Sequence, residues 1–155
     1  MNLIQALLNE GRIKLVEPSI NVSRSYAKKS KNSLKAARFL LEQNLLEESI
    51  SMAYYSMYHK ATSLLYLVGI KCTHHAGTII ILKELFQLDD SKILYAKKER
   101  IGKQYYADFT ATKGDAGWMI ALAEEFLDMM DSFIDKITET DKIKWLADFK
   151  QKIRD

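Results

Sequence analysis

Two short stretches of this chain concentrate side chains that can exchange protons or stack against rings. Residues 51–61 read SMAYYSMYHKA, and residues 73–77 read THHAG. Because an α-helix turns by about 100° per residue, the polar side chains of the first stretch and its continuation share one helical face. They are Ser51, Tyr55, Tyr58, Thr62 and Tyr66, with His59 at the edge. The pattern predicts a buried helix whose polar face lines a cleft or a subunit interface.

Tyr54 and Tyr58, taken singly, are equally compatible with a core role, in which the ring is buried and the hydroxyl bonds to a neighbour. The group as a whole favours a cleft or a dimer seam, because each buried hydroxyl without a partner costs about 1–3 kcal/mol. No partner for His59 is evident in the sequence. A satisfied core histidine is therefore its simplest interpretation, with RNA contact or acid–base chemistry as alternatives.

The second stretch and the residue before it contain possible zinc ligands, namely Cys72, His74 and His75. Adjacent histidines on a helix point about 100° apart, and the chain has no second cysteine to complete four ligands. We therefore expect no metal and no other cofactor. A neutral His75 that forms hydrogen bonds near the tyrosine stripe is favoured, since the helix dipole disfavours positive charge at a helix N-terminus.

A third cluster lies at residues 100–106, which read RIGKQYY. If this segment is helical, the guanidinium of Arg100 and the amide of Gln104 lie one turn apart on the same side. With the ring of Tyr105 they form a set that can hold a phosphate and stack on a base. The alternative is a solvated basic helix face, which is the usual nature of such charge runs.

The charges of the chain are sorted into blocks, although the net charge is only +3. Residues 24–38 contain six cations and no acid, and residues 92–103 contain five cations and one acid. Acidic side chains gather later, over residues 124–135. Sorting of this kind creates local fields that the net charge hides.

Composition and apolar spacing predict an all-α protein. One proline and six glycines are too few for the turns of a β-sandwich or barrel, and no strand-like alternation persists. We expect an antiparallel up-down bundle of four to five core helices with short amphipathic terminal helices. The expected helices cover residues 1–15, 20–43, 46–68, 74–87, 89–109, 118–137 and 141–155, with a loop at 112–117. Gly69 is the expected C-cap of the third helix and Thr73 the N-cap of the fourth.

A chain of 155 residues is long enough for one domain with a real core. We expect a single domain over residues 1–155, with a core of about 19–137, an N-terminal helix at 1–17 and a basic C-terminal tail helix at 138–155. The single cysteine suits a reducing compartment. No leader and no apolar run of roughly 18 residues is evident, so we expect a cytoplasmic protein with no membrane partner.

Taken together, the motifs resemble the HEPN domain (higher eukaryotes and prokaryotes nucleotide-binding) over about residues 19–137. The residues that carry the resemblance are AYYSMYHKA at 53–61 with Leu64 and Leu65, HAGTI at 75–79, and Arg100 with QYY at 104–106. The resemblance implies an antiparallel helical bundle that is commonly dimeric. Prokaryotic members often pair with a small nucleotidyltransferase in toxin–antitoxin or defence modules.

Many members of that family are RNases that use an Arg-x4-6-His motif brought together across a dimer. Here Tyr105 and Tyr106 stand at the expected offsets from Arg100, and no histidine follows His75. Tyrosine is a poor base at neutral pH, because its reference pKa is near 10. We therefore do not expect the usual catalytic route and assign no catalytic residue.

The favoured hypothesis is a protein that binds a nucleotide or RNA, forms a homodimer and has a nucleotidyltransferase as its partner. The expected binding residues are Tyr55, Tyr58, His59, His75, Arg100, Gln104 and Tyr105. One alternative is a metal-independent endoribonuclease with a composite dimer site, in which Arg100 stabilises the phosphate and His59 or His75 is the acid/base. Another is a non-enzymatic dimeric interaction module.

Overall fold

The computed structural model describes the backbone of residues 2–105 and 110–154, and their side chains except at 103–105. Within these ranges the chain forms seven helices and two short strands. They are α1 (Leu3–Asn9), β1 (Ile13–Leu15), α2 (Ile20–Glu42), α3 (Leu46–Val68), β2 (Ile70–Cys72), α4 (His75–Glu84), α5 (Ser91–Tyr105), α6 (Lys113–Asp135) and α7 (Glu139–Arg154). The prediction of an all-α bundle is confirmed. None of the helices in the described part of the chain is both long and apolar enough to cross a membrane.

Helix α3 is the centre of the bundle and has the predicted bounds. Buried residues lie on several of its sides, so neighbouring helices cover it almost all round. Small polar side chains let α2 approach closely. The hydroxyls of Ser23 and Ser63 lie 3.0 Å apart, and the hydroxyl of Ser30 donates to the carbonyl oxygen of Ser56 at 2.6 Å. As predicted, Gly69 ends α3 in the left-handed conformation, with φ of +99°.

A two-stranded antiparallel sheet joins the N-terminal segment to the end of α3, contrary to the expectation of no strand. In this sheet β1 pairs with β2, and Ile13 lies opposite Cys72. Each strand has only three residues, too few for an alternating pattern to be recognised in the sequence. The helix predicted over residues 1–15 is therefore too long. It ends at Asn9, and the chain turns at Gly11, where φ is +71°.

Helix α4 begins one residue later than predicted, because its N-cap is His74 and not Thr73. The Nδ1 atom of His74 accepts a hydrogen bond from the backbone N–H of Gly77 at 3.1 Å. Burial lowers the pKa of His74, which keeps this accepting nitrogen unprotonated near neutral pH. The helix ends at Glu84, short of the predicted Gln87, which adopts a left-handed conformation with φ of +56°.

Helix α6 begins at Lys113, so the loop predicted over residues 112–117 is wrong. Thr112 and Asp115 form a reciprocal capping box at its start, with hydrogen bonds of 3.0 and 2.9 Å. Two glycines in this segment suggest a loop. The stabilisation from a cap, about 1 kcal/mol, offsets the similar cost of one glycine in a helix. The predicted end of α5 at Phe109 lies outside the described residues.

The acidic side chains of α6 pair with cations on the neighbouring helices. Arg38 Nη2 lies 2.9 Å from Glu124 Oε1, and the ammonium of Lys60 contacts the carboxylate of Asp131. Part of the positive charge of α2 and α3 is therefore balanced within the bundle.

Candidate functional site

The imidazole of His75 lies against two tyrosines of α3. His75 is the first residue of α4, and the short strand β2 returns the chain so that this helix start lies beside α3. The hydroxyl oxygen of Tyr54 and Nδ1 of His75 are 2.8 Å apart and form a hydrogen bond. The ring of Tyr58 stacks on the imidazole, with centroids 3.9 Å apart and planes inclined by 16°. One hydrogen bond and one ring face thus fix the orientation of His75.

Both partners in this hydrogen bond are neutral near pH 7. Burial lowers the pKa of His75 to about 4, and the positive charge of Arg100 adds to this effect. Burial also raises the pKa of Tyr54 well above its usual value. Proton transfer from the phenol to the imidazole is therefore disfavoured. The prediction of a neutral, hydrogen-bonding His75 is confirmed, and burial is the largest of the causes that lower its pKa.

Arg100 reaches the same group of tyrosines from α5. Its guanidinium carbon Cζ lies 5.0 Å from the ring centroid of Tyr55 and 5.5 Å from that of Tyr54. Both distances are within the roughly 6 Å range of cation–π attraction, which strengthens when the cation is partly desolvated. The side chain of Arg100 is partly buried. A permanent positive charge is thus held beside the neutral imidazole of His75.

His59 occupies another side of Tyr55. Their rings stack with centroids 5.9 Å apart, and the ring of Tyr26 on α2 lies 6.0 Å from His59. The Nδ1 atom of His59 is buried and has no hydrogen-bond partner among the described residues. Burial lowers the pKa of His59, and the ammonium of Lys29 lowers it further. The interpretation as a satisfied core histidine is therefore wrong at this nitrogen.

Successive ring contacts join these groups into what we call the aromatic track, which consists of Tyr66, Tyr26, His59 and Tyr55. The rings of Tyr66 and Tyr26 stack with centroids 5.4 Å apart and planes inclined by 9°. Cations lie over two of the rings. The ammonium of Lys29 is 4.8 Å from the centroid of Tyr26, and Arg100 lies over Tyr55. Rings flanked by cations can stack on bases and hold phosphates at the same time.

Five of the seven predicted binding residues meet in this region. They are Tyr55, Tyr58, His59, His75 and Arg100. The side chains of the other two, Gln104 and Tyr105, lie outside the described residues. The role of all seven in binding stays a prediction.

Sequence reasoning did not assign Tyr54, Tyr26 or Lys29 to the site. Tyr54 precedes Tyr58 by four residues, and this spacing alone places both rings on one side of α3. Tyr26 and Lys29 are three residues apart on α2, the spacing at which helical side chains meet. Both signals are present in the sequence. However, only the packing of α2 on α3 reveals that Tyr26 faces His59.

In the part of the chain that the structure describes, no group of three or more side chains could hold a metal ion. Two of the possible zinc ligands have other contacts. The thiol of Cys72 donates to the carbonyl oxygen of His74 at 3.3 Å, and the side chain of His74 caps α4. The chemistry that this region offers is therefore hydrogen bonding, ring stacking and charge attraction.

Comparison with known proteins finds both a family and individual relatives. A family model described as the HEPN domain matches residues 23–133. The UPF0332 protein PH1297 of Pyrococcus horikoshii is 46% identical over 54 residues, which are 35% of this chain and 38% of that protein. A Methanocaldococcus jannaschii protein named "Putative toxin MJ0605" is 27% identical over 141 residues, which are 86% of this chain and 99% of that protein. The match thus spans little more than a third of the first relative and nearly all of the second.

Proposed function

This chain belongs to the HEPN domain family, and on that basis we propose that it binds a nucleotide or RNA along the aromatic track and Arg100. The observation that carries the proposal is the position of the Arg100 guanidinium, 5.0 Å from the ring centroid of Tyr55. A guanidinium presents five N–H donors in one plane, which suits the oxygens of a phosphate. The adjacent phenol and imidazole rings offer faces on which a base can stack.

The protonation states support binding of an anion through Arg100. His59 and His75 have lowered pKa values and are neutral near pH 7, so they contribute hydrogen bonds and not charge. Arg100 then supplies the positive charge that lies over Tyr55. Because such contacts displace counterions, binding of RNA is expected to weaken as salt concentration rises.

Titration of the purified protein with ATP and with a short single-stranded RNA, at low and high salt, tests this proposal. We expect Arg100→Ala to weaken binding by about tenfold or more, as for the loss of a hydrogen bond to a charged group. Lys98→Ala is the matched control, because it removes an exposed charge about 160° away on the same helix. The proposal is contradicted if the parent protein binds neither ligand, or if both variants lose affinity equally.

We propose that the protein acts in a toxin–antitoxin or defence module, with a small nucleotidyltransferase as its partner. Family membership and the relative that is named as a toxin support this context, and the partner is what the family resemblance implies. The direct test is whether the gene next to that of this chain encodes a nucleotidyltransferase and whether the two proteins copurify after coexpression. Recovery of the two proteins as separate species would remove the partner from the proposal.

We also propose a homodimer whose contact surface includes a groove beside α2 and α3. The groove has a volume of about 450 Å³ and is lined in part by Phe39, Leu40, Met52 and Tyr55. Phe39 is 60% exposed. Exposed apolar side chains that adjoin a groove are typical of interaction surfaces. Because Tyr55 belongs to both the groove and the aromatic track, dimer formation and ligand binding are expected to influence each other.

One observation favours the endoribonuclease alternative, namely the closeness of an arginine to an imidazole. The ring of His75 and the guanidinium of Arg100 lie 5.8 and 5.5 Å from the ring centroid of Tyr54. Arginine can stabilise a phosphate while a neutral imidazole accepts a proton. Since the pKa of His75 is about 4, it holds few protons at pH 7, so the leaving group needs another acid.

Incubation of total RNA with the parent, Arg100→Ala and His75→Ala proteins decides between binding and cleavage. Degradation by the parent that is lost in both variants supports the enzyme. Equal background degradation by all three proteins excludes it and leaves the binding proposal unaffected.

A further inference from the structure

A small pocket adjoins the aromatic track between α2, α3 and β2. Its volume is about 240 Å³, and its walls include Tyr26 and Tyr66 from the track. Tyr58 and His59 form another part of the wall. The pocket lies next to the proposed binding surface, because His59 in its wall stacks on Tyr55 and Arg100 lies over Tyr55.

The pocket is positively charged. Lys29 of α2 and Lys71 of β2 both line it, and none of its described lining residues is acidic. The ammonium of Lys29 is held 4.8 Å from the ring centroid of Tyr26. Its charge lowers the pKa of His59, after the larger effect of burial, so the cation acts on the imidazole that lines the same pocket. Two cations from different elements therefore favour an anion in the pocket.

The pocket also contains a buried polar atom that the described residues leave without a partner, Nδ1 of His59. A buried polar atom without a hydrogen bond costs about 1–3 kcal/mol, so such atoms usually have a ligand or a water as partner. His59 lines the same pocket as Lys29 and Lys71. An anionic group that carries oxygens could contact both lysines beside this imidazole.

The volume of the pocket limits the size of the ligand that it can bind. Pockets for drug-sized ligands usually measure about 300–1,000 Å³, so a pocket of about 240 Å³ holds one small group and not a complete oligonucleotide. A phosphate monoester carries about 1.5–2 negative charges at pH 7 and three acceptor oxygens. It matches both the charge and the hydrogen-bonding capacity of the site.

We propose that this pocket, which we call the lysine pocket (Lys29, Lys71, His59 and Tyr26), binds the terminal phosphate of a nucleotide or of an RNA strand. The inference rests on the proposed function, because the remainder of the same ligand lies along Tyr55 and Arg100. It adds two cations, Lys29 and Lys71, that position the end of the ligand. The lysine pocket therefore recognises the terminal phosphate, whereas Arg100 binds another part of the same ligand.

Binding of the dinucleotide ApA and its 5′-phosphorylated form pApA tests the inference. We expect the parent protein to bind pApA about tenfold or more tightly than ApA, as for a hydrogen bond between charged groups. In the Lys29→Ala/Lys71→Ala double variant this preference disappears, while ApA still binds. Both lysines are exposed, so folding is expected to be preserved. Lys28→Ala is the matched control, since Lys28 is an exposed neighbour that lines a different groove.

Arg100→Ala separates this inference from the proposed function. It should weaken ApA and pApA by the same factor and retain the preference for the phosphate. If the parent binds the two ligands equally, or if the double variant keeps the preference for pApA, phosphate binding in the lysine pocket is contradicted. The proposed function is unaffected by either result. If neither ligand binds to the parent, the proposed function fails as well.

Titration with AMP distinguishes a free nucleotide from a strand end. Binding of AMP that depends on the two lysines and not on Arg100 assigns the pocket to a free nucleotide. Weak binding of AMP beside tight binding of pApA assigns it to the end of an RNA strand.

Discussion

The ring of Tyr58 and the imidazole of His75 lie face to face, with centroids 3.9 Å apart. Tyr58 belongs to the central helix, whereas His75 begins a helix that is reached only through Gly69 and the strand β2. The orientation of the imidazole therefore depends on the path of the chain after α3 as well as on α3 itself. Substitutions in α3 or at the start of α4 should therefore alter the position of the imidazole.

The hydrogen bond between Tyr54 and His75 should contribute to stability. Tyr54 is fully buried, and Tyr54→Phe removes only its hydroxyl. This leaves Nδ1 of His75 without its partner, and we expect a loss of about 1–3 kcal/mol in the free energy of unfolding. Urea denaturation measures the loss. Tyr95→Phe is the control, since Tyr95 is 43% exposed. Equal midpoints for the two variants would show that the hydrogen bond contributes nothing.

The buried imidazole of His75 should make stability depend on pH. Its pKa is about 4 in the folded protein, against 6.5 for an ordinary histidine. As pH falls, the unfolded chain takes up this proton first, so the contribution of His75 is fully present above about pH 6.5 and is lost as pH falls toward 4. Between about pH 7.5 and 4.5, the urea midpoint of the parent should fall more than that of His75→Asn, which cannot titrate there. Parallel declines would contradict a buried neutral imidazole.

Gly77 and Gly117 should respond oppositely to alanine. A Cβ atom at Gly77 would lie 2.5 Å from Cδ1 of Leu7 and 3.1 Å from Sγ of Cys72. Because these side chains are buried, we expect Gly77→Ala to lower the free energy of unfolding by about 1–3 kcal/mol. A Cβ atom at Gly117 meets no described atom within 4 Å. Gly117→Ala should therefore add about 0.5–1 kcal/mol. Thermal unfolding compares them, and a stable Gly77→Ala protein would contradict the close packing of α1 on α4.

The proposed dimer should depend on Phe39. We expect sedimentation to give the mass of a dimer for the parent protein and of a monomer for Phe39→Asp, because a charge in the groove opposes burial of its apolar wall. Ile143→Asp is the matched control, since Ile143 is 69% exposed on α7. A parent protein that sediments as a monomer, or a Phe39→Asp dimer, would contradict this surface.

The long helices could be predicted from the sequence because their apolar residues recur at helical spacing over several turns. Helix α3 has the bounds that apolar spacing and Gly69 indicate, and α2 differs from its prediction by one residue at its end. The two-stranded sheet could not be predicted, since three residues in a strand leave no periodic pattern. The start of α6 differs from its prediction because the capping box of Thr112 and Asp115 begins a helix in a segment whose two glycines indicate a loop.

For the candidate site, the sequence predicts which residues of one helix lie side by side, but it does not predict which residues of other helices contact them. Helical spacing predicts Tyr55, Tyr58 and His59 on adjoining faces of α3. The structure shows Tyr58 stacked on His75, and Tyr55 in contact with both His59 and Arg100. The contribution of α2 depends on packing between helices that are distant in sequence, which spacing within one helix does not reveal. A single domain over residues 1–155 and a cytoplasmic location stay predictions.

The contact of Leu7 with the helix that starts at His75 has a practical consequence. Leu7 is 2% exposed and lies where a side chain on Gly77 would otherwise sit. Its helix precedes residue 23, at which the family match begins. A protein trimmed to the matched residues 23–133 would therefore lack the side chain that packs against the first turn of α4, and the position of His75 should be less firmly fixed in it.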